Sequence, residues 1–366
     1  MTSGLLPVCR PLLPTQADIA PYIAEIDATR WYSNYGPLYD RFAARLGEQR
    51  GLSTGQVALV GNATIGLTLS LRASGASDGY CMLPAWTFPA SPMAAAAAGL
   101  TPWFVDIDPD TWALTPEIAE RSLAGTPGRV AAVMPVAPFG APLPTAAWDD
   151  FTSRTGIPAV IDAAAAFDSL TVGRTPSVIS LHATKALGIG EGGAIFSTDA
   201  HHIEAIQGLA NFGLRGSRLA SVVGMNGKLS EYACAVGLAA IDQWPTRRQQ
   251  YIERAERYRA ALSGDVQFQP DFGSFASATC VVSSAATDAD SLQRAMSAAG
   301  IETLRWWPAA CPDHPAFRHA ETTDIPAARR AAAHTLGLPM SVTLSLDDID
   351  RVANAVKRHL RRNVPN

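Results

Sequence analysis

The 366-residue chain contains three lysines, Lys185, Lys228 and Lys357, against 26 arginines, so each retained lysine raises a chemical question. Lys357 lies in the basic run KRHLRR near the C-terminus, where a solvated helix face explains it. Lys185 closes Ser180-Leu181-His182-Ala183-Thr184-Lys185 and is followed by Gly188-Ile189-Gly190-Glu191-Gly192-Gly193 and an apolar run. A nucleophilic amine must be partly desolvated, because burial lowers the ammonium pKa. A glycine-flanked turn lets a bulky ligand approach the backbone. Spacing alone leaves a surface lysine before a glycine-rich turn as an equal reading. Asp162 ends the run Ala159-Val160-Ile161, where a carboxylate either caps the next helix or holds a ring nitrogen of a cofactor protonated, making that ring an electron sink. After Val57 to Val60 comes Asn62-Ala63-Thr64, a turn that opens a helix whose free amides can bind phosphate, although Asn and Thr are also ordinary caps. In Pro84-Ala85-Trp86-Thr87-Phe88, Trp86 can lie flat on a planar cofactor or fill a core, and Phe88 reads as core.

These residues fall at the ends of short apolar runs. Between about residues 55 and 200 such runs, at 57–60, 79–83, 103–106, 130–134, 159–162 and 194–196, alternate with helical segments. That pattern predicts an α/β domain with a mostly parallel sheet, in which ligands collect where strands end. From Ser230 to about Leu262 the composition predicts long helices leading out of this domain. A strand over 279–282 and helices over 288–299 and 346–360 follow, giving a small α+β domain. The expected division is 1–245 for the N-terminal segment and large domain, and 246–366 for the small domain.

The segment SLHATKALGIGEGG resembles the lysine motif of the DegT/DnrJ/EryC1/StrS aminotransferases, where Ser-x-x-x-Thr-Lys precedes Gly-Glu-Gly-Gly. Gly224-Met225-Asn226-Gly227-Lys228-Leu229-Ser230-Glu231 resembles the same family's Gly-x-Asn-x-Arg/Lys-Met-Ser-Glu element, and Ser33-Asn34-Tyr35-Gly36-Pro37 its entry loop. The resemblance runs over nearly the whole chain. It implies an aspartate-aminotransferase-like fold of type I and pyridoxal 5'-phosphate (PLP) as cofactor. Lys185 and Asp162 are then the catalytic residues, with Ala63, Thr64, Trp86, Ser180 and Asn226 completing the cofactor site and Tyr35, Lys228 and Arg305 touching substrate. It implies further a homodimer in which the Asn226 loop reaches the neighbouring subunit's site. The expected reaction moves an amino group from glutamate or glutamine to a nucleotide-linked keto sugar, a 3- or 4-keto-6-deoxyhexose. A cyclitol ketone as acceptor, or a PLP-binding regulator without turnover, are the alternatives. One departure stands out: the family's usual Gln three residues after the aspartate is Ala165 here.

Composition narrows the remaining classes. With 48% hydrophobic and 17% charged residues the chain is expected to bury a substantial core. A net charge of -4 without a long basic run gives no reason to expect nucleic acid or an anionic membrane as partner. The five cysteines are scattered without C-x-x-C spacing, which suggests neither disulfides nor a metal site. The N-terminus does not read as a signal peptide and no apolar run is long enough to span a bilayer, so a cytoplasmic location is expected.

Overall fold

The apolar runs become strands in a computed structural model that describes residues 4–363 apart from residue 215. The first seven strands are β1 (Val57–Val60), β2 (Tyr80–Pro84), β3 (Thr101–Val105), β4 (Val130–Val133), β5 (Ile161–Asp162), β6 (Ser177–Ser180) and β7 (Gly193–Phe196). Four more follow: β8 (Gln267–Phe268), β9 (Cys280–Ser283), β10 (Glu321–Thr322) and β11 (Thr335–Leu338). Ladders run in the orders β1-β7-β6-β5 and β10-β3-β2-β4, and parallel bridges Val133–Ala159 and Val136–Asp162 join β4 to β5. The result is one eight-stranded surface in which only β7 runs against its neighbours. Parallel pairing confirms the α/β expectation. The strand β6 was not among the expected runs, since Ser177 and Ser180 flank only two apolar residues.

Both faces of the sheet are covered. Successive strand residues point to opposite sides, and accordingly Trp103, Ile161 and Phe196 belong to one core while Phe104, Val160 and Ile195 belong to another. The helices that cover it include α1 (Gln16–Thr29), α2 (Pro37–Glu48), α3 (Ala63–Ala73) and α4 (Ala90–Ala97). Further along come α5 (Pro116–Ser122), α6 (Thr145–Thr155), α7 (Ala200–Ala210) and α8 (Glu231–Asp242). The 19-residue α9 (Trp244–Leu262) leads to the antiparallel sheet β11-β9-β8, on which α10 (Ala289–Ala298) packs, with α11 (Pro326–His334) against α10 and α12 (Leu346–Asn363) against α9 and α10.

Two crossings tie the chain's halves together. The N-terminal segment pairs Leu6 with Ile301, and Met340 N donates to Val8 O at 3.0 Å. In the other direction β10 adds to the edge of the large sheet beside β3. Among the described residues no helix is long and apolar enough to cross a membrane.

Candidate active site

Because β7 is antiparallel to β6, the connection over 181–192 turns the chain back on itself, and Lys185 stands in that turn. Lys185 N donates to His182 O at 2.9 Å, and Ala183 N to Gly190 O at 2.8 Å, so the turn is built by its own backbone. His182 Nδ1 lies 2.9 Å from Thr184 Oγ1. Burial pushes the Lys185 ammonium pKa down, while Asp162 and then Cys9 oppose that shift. The amine is therefore easier to deprotonate than an ordinary lysine.

Asp162 ends β5 with 5% exposure. Ser91 Oγ donates to its Oδ2 at 2.6 Å and Ala164 N to its Oδ1 at 3.1 Å. Burial pushes this carboxyl up, opposed first by Ser91, then by the Ala164 amide and by Lys185. Asp162 takes part in none of the ion pairs found among the described residues. A buried carboxylate without a bound cation is costly, and two hydrogen bonds leave acceptor positions on both oxygens.

Asn62 caps α3, its Oδ1 accepting from Ile65 N at 2.9 Å, while the first helical amides, of Ala63 and Thr64, have no partner within the helix. The start of β7 lies directly against this end: a Cβ on Gly193 would fall 2.8 Å from both Ala63 N and Asn62 C. Ser180, buried at the end of β6, completes the group, its hydroxyl accepting from His182 N at 3.2 Å. The glycine after the lysine motif thus draws the helix N-terminus and the lysine turn together.

Four residues sit in surroundings other than the expected ones. Trp86 is 1% exposed, its ring edged by Trp112, Phe139 and Trp307 and its Nε1 donating to Trp307 O, so it sits in an aromatic core. Phe88, expected in the core, is 57% exposed, one turn before the Ser91 that touches Asp162. Tyr35 donates its hydroxyl to Gln207 O at 2.8 Å and packs edge-on against Tyr39. Arg305 bonds Asp290 at 2.6 Å, Pro308 O at 2.8 Å and Ala332 O at 2.7 Å, bracing the C-terminal region.

Asn226 is exposed on a loop tied to the end of β1 by the Gly61 N to Gly227 O bond of 2.8 Å. Lys228 lies over the Phe212 ring at 4.6 Å. The same loop ends at Glu231, which reaches α2, so the two motif segments at 33–37 and 224–231 are joined in space.

A contact with no sequence signal comes from the N-terminus. Cys9 and Arg10 line the cavity that also contains Thr184, Lys185, Arg247, Tyr251 and Ser341. The buried Arg247 holds this strap by donating to Leu12 O at 2.6 Å. Thr87 and Ser91 were equally hidden, as hydroxyls in an otherwise apolar stretch; their i, i+4 spacing before the alanine run is the only hint.

Taken together, helix amides and Ser180 suit a phosphate, a buried unpaired carboxylate suits a protonated ring nitrogen, and a turn lysine of lowered pKa suits a carbonyl. This donor set fits PLP. Comparison with known proteins agrees. The sequence model of the DegT/DnrJ/EryC1/StrS aminotransferase family matches residues 15–357. Protein Rv3402c of Mycobacterium tuberculosis is 32% identical, over 96% of this chain and 89% of that protein. The dTDP-4-amino-4,6-dideoxy-D-glucose transaminase of Shigella dysenteriae is 30% identical, over 96% and 98% respectively. Among solved structures, DesI in the presence of its TDP-sugar product superposes with a TM-score of 0.87 at 29% identity, covering 99% of this chain and 94% of that one.

Proposed function

Since the chain belongs to the DegT/DnrJ/EryC1/StrS family and is a PLP-dependent aminotransferase of fold type I, we propose that it moves an amino group from glutamate or glutamine to a nucleotide-linked keto sugar. The observation that carries this reading is Lys185 in a turn beside the buried Asp162, at the carboxyl ends of the strands and below a helix N-terminus. Support for a 3- or 4-keto-6-deoxyhexose as acceptor comes from the relatives' substrates, dTDP-linked dideoxy sugars among them.

Bound PLP supplies the electron sink that stabilises charge when an α-proton leaves. The chain's residues do the rest. The amides of Ala63 and Thr64 and the Ser180 hydroxyl hold the phosphate. Asp162 keeps the ring nitrogen protonated. Lys185 would bind the cofactor's carbonyl carbon, and once displaced by the donor amine its neutral Nζ would take the α-proton and deliver it back on the same face. The Ala165 side chain has no donor for the cofactor's phenolic oxygen, and burial is what lowers the Lys185 ammonium pKa.

A homodimer with shared sites follows from the same reading. Phe212, Leu219, Val222 and Val223 are exposed apolar residues on the segment that ends at Asn226, and Tyr32 stacks on Tyr232 beside exposed Trp31. Covered by a second copy, this surface would carry Asn226 to the partner's phosphate and Lys228 to a substrate anion. The division at residue 245, near the start of α9, is proposed as the domain boundary.

The test is turnover with a panel of dTDP- and UDP-linked 3-keto and 4-keto sugars, each with glutamate or glutamine. Amination of one of them, abolished in Lys185→Ala, is the expected result. Amination of an inosose only would move the acceptor to the cyclitols, and binding of PLP without turnover on any ketone would favour a regulator.

A further inference from the structure

Asp162 is not the end of its hydrogen-bond chain. Ser91 Oγ, 0% exposed at the start of α4, donates to Asp162 Oδ2 at 2.6 Å, and Thr87 Oγ1, in a residue 1% exposed, lies 3.0 Å beyond it. We propose that Thr87 and Ser91 are positioning residues, a two-hydroxyl relay that keeps the Asp162 carboxylate ionised and aimed at the cofactor ring. This rests on the reading of Asp162 given above.

The direction of the relay is fixed by proton count. An ionised carboxylate only accepts, and a hydroxyl has one proton to give. The Ser91 proton is therefore committed to Oδ2, which leaves Ser91 Oγ as acceptor for the Thr87 hydroxyl. A neutral Asp162 could itself donate, and both hydroxyls could then turn the other way. The Ser91 donation to Oδ2 stabilises the charged carboxylate, which burial disfavours.

The relay is held by the fold. Ser91 N donates to Phe88 O at 3.2 Å, Cys311 Sγ to Thr87 O at 3.5 Å and Cys311 N to Ala85 O at 2.6 Å. The charged group that faces Asp162 is Lys185 of the neighbouring turn, and Cys9 of the N-terminal strap faces Lys185 in its turn. Lys185 is the group the cofactor engages, which leaves the hydroxyls, with the protonated ring nitrogen, to hold the carboxylate charge.

The test compares wild type with Ser91→Ala, Ser91→Thr, Thr87→Val, Thr87→Ser and Asp162→Asn, each folded by circular dichroism. The readouts are the PLP dissociation constant from absorbance titration and the pH dependence of the bound-cofactor spectrum. Ser91→Ala is expected to weaken PLP binding on the order of tenfold or more, the scale of one charge-assisted hydrogen bond. Its spectrum should shift with pH where wild type is constant. Thr87→Val should show a smaller change of the same kind, and the two hydroxyl-retaining variants should behave as wild type. If Ser91→Ala binds and titrates like wild type while Asp162→Asn fails, the relay is overturned and the reading of Asp162 survives. If Asp162→Asn itself binds and titrates like wild type, the reading beneath the relay is wrong. Equal loss in the hydroxyl-retaining and hydroxyl-free variants would assign the two residues to packing, which also overturns the proposal.

Discussion

The Glu231 carboxylate accepts the Leu38 backbone amide at 2.8 Å, and its second oxygen accepts that of Tyr39 at 2.9 Å. These are the N–H groups of the second and third residues of α2, whose N-cap is Gly36 and whose first residue, Pro37, has no N–H. With no side chain at the N-cap, a carboxylate from α8 does the capping, and its charge meets the positive end of the helix dipole. Glu231 is 1% exposed. Glu231→Gln keeps the shape and loses the charge, with an expected cost of about 1–3 kcal/mol in urea unfolding. Unchanged stability would show that the cap contributes only shape.

Gly193 governs how close the lysine turn comes to the phosphate cup. A Cβ there would lie 2.8 Å from Ala63 N, and neither backbone can yield cheaply. Gly193→Ala is expected to cost about 1–3 kcal/mol through overpacking and to weaken PLP affinity more than general stability explains. Titration with PLP alongside thermal unfolding separates the two effects.

How far the sequence reached can be judged from these residues. Lys185, Asp162 and Asn62 to Thr64 stand out in the sequence because strand ends and glycine spacing are local features, and the structure brings all of them to one region. The surroundings of Trp86, Tyr35 and Arg305 were not legible, since an aromatic ring or an arginine serves equally as core, brace or ligand contact until its neighbours are known. Trp307, which contacts Trp86, is 221 residues away in the chain. The orientation of β7 was likewise hidden, because a short apolar run carries no direction.

Lys185 should be reactive at unusually low pH in the apoprotein. Burial lowers its pKa and Asp162 raises it, so the neutral amine appears below the ordinary lysine range. Asp162→Asn removes the opposing charge and should move the profile further down. Rates of acylation at Lys185, followed by peptide mass mapping across pH, are the check. A profile centred where exposed lysines titrate would contradict the burial argument.

Asp162 has the opposite sign. Its pKa is raised in the folded apoprotein, so its contribution to stability is present below the ordinary carboxylate pKa and is lost as pH rises through the raised value. Apo Asp162→Asn is therefore expected to melt a few degrees above wild type at neutral pH, the two converging in acid. With PLP the order should reverse, because the cofactor then stabilises only the wild-type carboxylate. Melting curves of both forms at several pH values test it.

The central claim is that Lys185 carries the cofactor. The direct measurement is borohydride reduction of the PLP-loaded protein, digestion, and mass spectrometric location of the pyridoxyl group. With three lysines in the chain the result is discrete. The account predicts label on the peptide containing Lys185 and its loss from Lys185→Ala. Label on Lys228 or Lys357, or none on Lys185 in protein that has bound PLP, would contradict it.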